Sequence, residues 1–231
     1  MTRTINGKVL KTAEVPGKRN LYIIEKDRVI DFKEKENGDS VEIKFYPKEG
    51  QYGIYAEEYL PETAVKTGRK KADITALIVD EDNNIGEAVV ADVKSDVGGE
   101  DVIAHLCEQW QDGLRYVRHT IFYMLADDFR MKERLMVITR NFDEGRIRRS
   151  LEAKKKKLQE LKENSEKVLA AKKMLAMSGS SDAQEIELCE RFLNRKFIYK
   201  ERGAEKEFTF DIGIMTEHGE EYLYQMEMKI C

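Results

Sequence analysis

The chain has 231 residues, 41% of them hydrophobic and 36% charged, with a net charge of −4. That length suits one domain of ordinary size with an appendage, or two small ones, and the acidic balance excludes a uniformly basic nucleic-acid coat, so contacts with a polyanion must use local basic patches. No apolar run reaches bilayer length, the opening Met1-Thr2-Arg3-Thr4-Ile5-Asn6 lacks a secretory stretch, and Cys107, Cys189 and Cys231 make no CxxC pair; the expected setting is a reducing cytoplasm with no membrane contact.

Residues 1–66 look mainly β. The runs 21–24, 28–32 and 41–46 are β-prone, with Asn37-Gly38 as a turn between the last two. Residues 52–60 are expected to form one or two helical turns stopped by Pro61. Residues 67–142 then read as a core. The apolar runs 73–80 and 88–94 have the length and continuity of strands buried on both faces, separated by the polar turn Glu81-Asp82-Asn83-Asn84. Val97-Gly98-Gly99 ends the second run. From residue 100 to about 125 the period becomes helical, with Val102, Leu106, Trp110, Gly113, Val117, Ile121 and Met124 on one stripe. Residues 135–139 follow as another buried strand.

Residues 143–200 change character. A charged helix without Pro or Gly is expected over 146–177, where Ile147, Leu151, Leu158, Leu161, Val168 and Leu175 fall on a 4-3 ladder interrupted by Lys154, Ser165 and Lys172. Ser178-Gly179-Ser180-Ser181 reads as the turn and Asp182 as the N-cap of a returning helix through Ile186, Cys189 and Leu193. Residues 201–231 read as a β-hairpin packing on the core, with strands 208–215 and 222–230 around His218-Gly219. The fold class expected is α/β: a mixed sheet core with helices, plus a helical hairpin and a C-terminal β-hairpin.

One constellation in the core carries chemistry. Asp73 opens the first central strand, directly after Arg69-Lys70-Lys71-Ala72, and Asp92-Val93-Lys94 closes the second. Side chains alternate along a strand, so Asp92 and Lys94 share a face about 7 Å apart. If the two strands form a hairpin around residues 81–87, Asp73 comes beside both. Two carboxylates and an ammonium at one sheet end are costly to bury without a joint task. A magnesium ion (or manganese) held by the carboxylates and water would meet that cost, polarise a phosphoryl oxygen and acidify a water that Lys94 positions or helps to deprotonate.

This stretch, from about residue 68 to 139, resembles the PD-(D/E)xK nuclease superfamily. The resemblance implies a restriction-endonuclease-like fold, metal-binding roles for Asp73, Val93 and Asp92, and catalytic roles for Asp73, Asp92, Lys94 and Gln109, the last on the helix that follows. Where many members carry a tyrosine four residues after that glutamine, this chain has Gly113, with Tyr116 seven on. Glu57 or Glu58 can fill the upstream acidic position. Arg69, Lys70 and Lys71 are placed to hold a phosphate.

Acid-x-Lys triplets occur six times: at Asp31, Glu42, Asp92, Glu152, Glu160 and Glu227. Only the one at Asp92 is flanked by a buried strand, a glycine break, an amphipathic helix and another strand. The function expected is magnesium-dependent hydrolysis of phosphodiester bonds in nucleic acid, DNA first, in restriction, repair or defence. The alternative is a nuclease-fold binding or assembly subunit without catalysis. Residues 146–198 would then recruit a protein partner or a second copy. Their basic run, Arg146, Arg148, Arg149 and Lys154 to Lys157, reads equally as a phosphate contact or a solvated helix face.

Overall fold

The computed structural model describes residues 2–5, 8–11, 21–24, 30–36, 39–46, 48–56, 72–80, 82–118, 130–165, 169–219 and 221–228. They form a mixed α/β fold, with β1 (Thr2–Ile5), β2 (Lys8–Lys11), β3 (Leu21–Ile24), β4 (Ile30–Glu36), β5 (Asp39–Phe45), β6 (Gln51–Ala56), β7 (Ile74–Asp80), β8 (Ile85–Val97), α1 (Glu100–Tyr116), β9 (Arg130–Phe142), α2 (Glu144–Ser165), α3 (Leu169–Leu193), β10 (Lys196–Glu201), β11 (Ala204–Ile214), β12 (Thr216–His218) and β13 (Glu221–Met228). No helix among the described residues is long and apolar enough to cross a membrane. The chain divides into two compact units, one of residues 1–95, 108–140 and 210–231, the other of 96–107 and 141–209. The first unit thus draws on three separate stretches of sequence.

In the first unit, β6, β7 and β8 form an antiparallel meander with β3 on its far edge. Beyond β8 lie β9 and the end of β11, which pair in parallel from Phe210↔Leu135 to Ile214↔Thr139. A second sheet has the order β12-β13-β5-β4, with β13 parallel to β5. The two sheets share a core. Val41, Ile74, Ile78, Val89, Ala91, Met136, Ile138 and Met215 are buried there, with Val93, Tyr222, Tyr224 and Met226 against them. Strand alternation sends the intervening residues to the opposite face, which α1 covers. Trp110 packs on Phe210 with ring centroids 4.8 Å apart and donates its indole N–H to the Met136 carbonyl at 3.2 Å.

The second unit contains the antiparallel β10–β11 hairpin and the packed pair α2 and α3. Asp143 caps α2: its Oδ1 accepts the Arg146 N–H at 2.7 Å. Ile147, Leu151, Cys189 and Phe192 are buried. Lys154, a polar rung of the ladder, is bonded to both Glu100 and Glu185, and Ser150 donates to Glu100. Burial alone would depress the Lys154 ammonium, but its bonds to Glu100 and Glu185 raise its pKa above the usual lysine range. Burial, reinforced by the charge of Glu100, pushes the Cys189 thiol up to about 11, leaving it an unreactive thiol.

Three expectations need correction. Residues 51–56 are a strand, not helical turns: Tyr52, Ile54 and Tyr55 are β-prone, and β7 supplies their ladder, with Tyr52↔Val79 and Ile54↔Leu77. Residues 57–60 lie outside the described residues. Among the described residues α2 ends at Ser165 and α3 spans Leu169–Leu193, so α3 runs through residues 178–181 and Asp182 is internal. A helical glycine costs only about 1 kcal/mol, which the packing of α3 on α2 can offset. The tail strands β11 and β13 do not pair with each other: β11 joins β9 and β13 joins β5. The hairpin around Gly219 is instead the short β12–β13 pair, Thr216↔Leu223 to His218↔Glu221.

Gly213 shows how closely the sheets approach. A Cβ at this position would lie 2.6 Å from Cε2 of Tyr224, whose hydroxyl is tethered to the Met226 sulfur at 3.3 Å. Gly213→Ala is therefore expected to destabilise the protein by about 1–3 kcal/mol, measured by urea unfolding, whereas alanine at Gly99, where nothing lies within 4 Å of the added carbon, should cost less.

Candidate metal centre

The β7–β8 register places Ile74 opposite Ala91. One step further sets Asp73 beside Asp92, on the face covered by α1. The structure thus brings together Asp73, Asp92 and Lys94. Asp73 has a local role too: its Oδ2 accepts the Val93 N–H at 2.7 Å, extending the pairing past the end of β7 through a side chain. Lys94 Nζ lies 3.3 Å from Asp92 Oδ1, 3.1 Å from the Val93 carbonyl oxygen and 3.7 Å from Asp73 Oδ2.

Exposure grades across the cluster. Asp92 is 0% exposed, whereas the side chains of Lys94 and Asp73 are 20% and 27% exposed. The centre is therefore closed at Asp92 and reached from the Asp73 side. Asp92 Oδ2 is buried with no hydrogen-bond partner. Burial raises the Asp92 carboxyl to about 8; the Lys94 charge opposes the rise, the Asp73 charge adds to it, and hydrogen bonding from Lys94 and the Asp73 main chain opposes it.

The other buried acids differ. Glu87 pairs with Arg134 at 2.7 Å, Asp112 with Arg115 at 3.2 Å, and Asp80 accepts the Gln51 amide and the Asn83 N–H. The triplet at Glu42 on β5 is also closed by local partners: Glu42 Oε2 takes Lys44 at 2.9 Å and the Gln225 amide at 2.8 Å. Of these acids, Asp92 retains a buried oxygen without a partner.

Gln109 is buried on α1, the helix over the face that carries Asp92. Asp112 and Tyr116 follow it at three and seven residues and are buried as well; burial holds the Tyr116 phenol protonated, at about 12. Arg69, Lys70 and Lys71, with Glu57 and Glu58, lie outside the described residues. Among the described residues no three His, Cys, Asp or Glu side chains gather to hold a metal. Two carboxylates and the Val93 carbonyl are nonetheless a hard-oxygen donor set that suits magnesium, which commonly keeps several waters and takes one or two carboxylates. The orphaned Asp92 oxygen fits such an ion.

No protein-family model, curated protein or solved structure matches the chain.

The raised Asp92 pKa has a definite sign in stability. In the metal-free protein the folded state keeps this proton up to about pH 8, while the unfolded chain loses it near 4. The Asp92 contribution is therefore full at low pH and is lost as pH rises through that window. Asp92→Asn should remove the loss, so the melting temperature of the variant relative to wild type, in EDTA, should climb between pH 4 and pH 8.5. A difference that stays flat across the range would contradict the assignment.

Proposed function

We propose that this protein is a metal-dependent nuclease that hydrolyses phosphodiester bonds in nucleic acid, DNA before RNA, through a centre of Asp73, Asp92 and Lys94. The observation that carries the reading is Asp92, wholly buried within β8 beside the start of β7 and with one oxygen unpartnered, next to a second carboxylate and an ammonium. Placing an acid there disfavours its anion unless a cation joins it.

The finer fold reading, restriction-endonuclease-like, draws support from the order of elements. An antiparallel pair, β7 and β8, carries the acids, and α1 and then β9 follow. Arg130 N–H bonds the Asn84 carbonyl at 2.8 Å where β8 and β9 begin.

Asp73, Asp92 and the Val93 carbonyl would hold magnesium or manganese. When bound, such an ion supplies Lewis-acid polarisation of the phosphoryl oxygen and lowers the pKa of water. Asp73 stands at the open side, where a phosphate enters, and Asp92 anchors the closed side. Lys94, on the same face, orients the attacking water through its ammonium protons. Attack by water forms a new P–O bond as the bond to the leaving sugar oxygen breaks; the water gives up one proton to solvent and the leaving oxygen takes one up from it. Gln109 steadies the α1 side of the centre. Arg69, Lys70 and Lys71, two to four residues before Asp73, hold the flanking phosphates.

Incubation with plasmid, linear and single-stranded DNA and with RNA, in magnesium, manganese or EDTA, tests the reading. Wild type should cleave only with metal, and Asp73→Ala, Asp92→Ala and Lys94→Ala should each lower the rate by roughly two orders of magnitude or more with folding retained. Equal cleavage by Asp92→Ala would sink the site assignment; no cleavage of any substrate would favour a binding subunit.

A second measurement locates the phosphate-binding residues. With catalytically inactive protein and magnesium, replacing Arg69, Lys70 and Lys71 by Gln should flatten the slope of log affinity against log salt by about 0.9 for each duplex phosphate no longer neutralised. An unchanged slope there, with a large change on replacing Lys154 to Lys157, would move the binding surface to α2.

A further inference from the structure

We infer that the Lys94 ammonium is the resident counter-ion of this centre, and that a divalent cation enters only by displacing it. The inference rests on the metal-centre reading above and adds a mode of regulation to it. Lys94 Nζ sits 3.1 Å from the Val93 carbonyl, 3.3 Å from Asp92 Oδ1 and 3.7 Å from Asp73 Oδ2. These three groups are the donor set proposed for the metal. Lys94 on Asp92 Oδ1 and a divalent cation on the neighbouring Oδ2, both drawn to the same three groups, repel each other strongly, and the buried end of the centre leaves little water to screen them. Lys94 is 20% exposed, so its flexible stem has a way out through the open side.

The displaced ammonium needs an anion, and a phosphate arriving at the Asp73 side provides one. Metal and nucleic acid thereby assist each other. Without substrate, Lys94 occupies the space among Asp73, Asp92 and Val93 and weakens metal binding. With substrate, it transfers from carboxylate to phosphate and the metal position opens. The lysine both keeps the empty centre stable and delays its loading until a polyanion is present.

Two measurements that do not depend on cleavage test this. Magnesium titration by calorimetry at pH 8.5 should show Lys94→Met, which keeps the stem and removes the charge, binding on the order of tenfold more tightly than wild type or better. Lys94→Gln should behave alike, and thermal melts establish that both variants are folded. In unmodified wild-type protein, amine acetylation read by mass spectrometry should label Lys94 several-fold faster once magnesium saturates. Should neither variant retain its fold, this labelling decides alone. Tighter binding by the variants, or faster labelling, supports displacement. Wild-type binding with unchanged labelling and no gain in the variants overturns displacement while leaving the nuclease reading intact. Absence of magnesium binding by wild type and both variants, at millimolar concentrations, overturns both.

Discussion

The centre depends on the antiparallel register of β7 and β8. With Ile74 opposite Ala91, strand alternation turns Ile74, Ala91 and Val93 toward the shared core of the two sheets, and turns Asp73, Asp92 and Lys94 toward α1. A slip of one residue would exchange the faces, driving the charges into the apolar core. The Asp73 carboxylate helps to fix that register by accepting the Val93 N–H. The same side chain therefore serves the ladder with one oxygen and the charge cluster with its negative charge.

Around this centre the sheet handles buried charge by local pairing. Glu87 has Arg134, and Asp112 has Arg115; in each case a guanidinium, a planar fork of donors, meets the acid. Asp92 has for its charge the single ammonium of Lys94, set two residues along its own strand and shared with Asp73 and Val93, besides a hydrogen bond from the Asp73 main chain. Burial outweighs that attraction, the Asp73 charge adds to the effect, and the carboxyl is held protonated to about pH 8. The orphaned Asp92 oxygen is where the proposed cation would sit.

Much of this was legible because it is local. Continuous apolar runs marked β7, β8 and β9, the polar turn at residues 81–84 marked the hairpin, and period-2 alternation placed Asp92 with Lys94. The pairing of Asp73 with Asp92 followed from a short hairpin whose register its turn constrains. What escaped was decided elsewhere in the chain. Tyr52 and Ile54 gain their β-structure from Val79 and Leu77, and Gly179 remains helical because α3 packs along α2. His218-Gly219 correctly signalled a tight reversal, but nothing near it announces that β13 will lie beside β5 while β11 lies beside β9. Nor does the sequence around Asp92 reveal that one of its oxygens is left without a donor; that depends on every neighbour brought in by the fold.

The pairing of β13 with β5 also has a consequence for how the protein is made. Asp39 meets Tyr222 and Phe45 meets Met228, so residues near the start of the chain wait for partners synthesised nearly two hundred residues later. While the ribosome is still working, β5 has β4 on one flank and an open edge on the other. Such an edge is a template for unwanted strand pairing, and ladders of such high contact order close slowly. The β5 edge is thus exposed to mispairing until β13 emerges, and a product that stops short of Tyr222 has its second sheet unfinished.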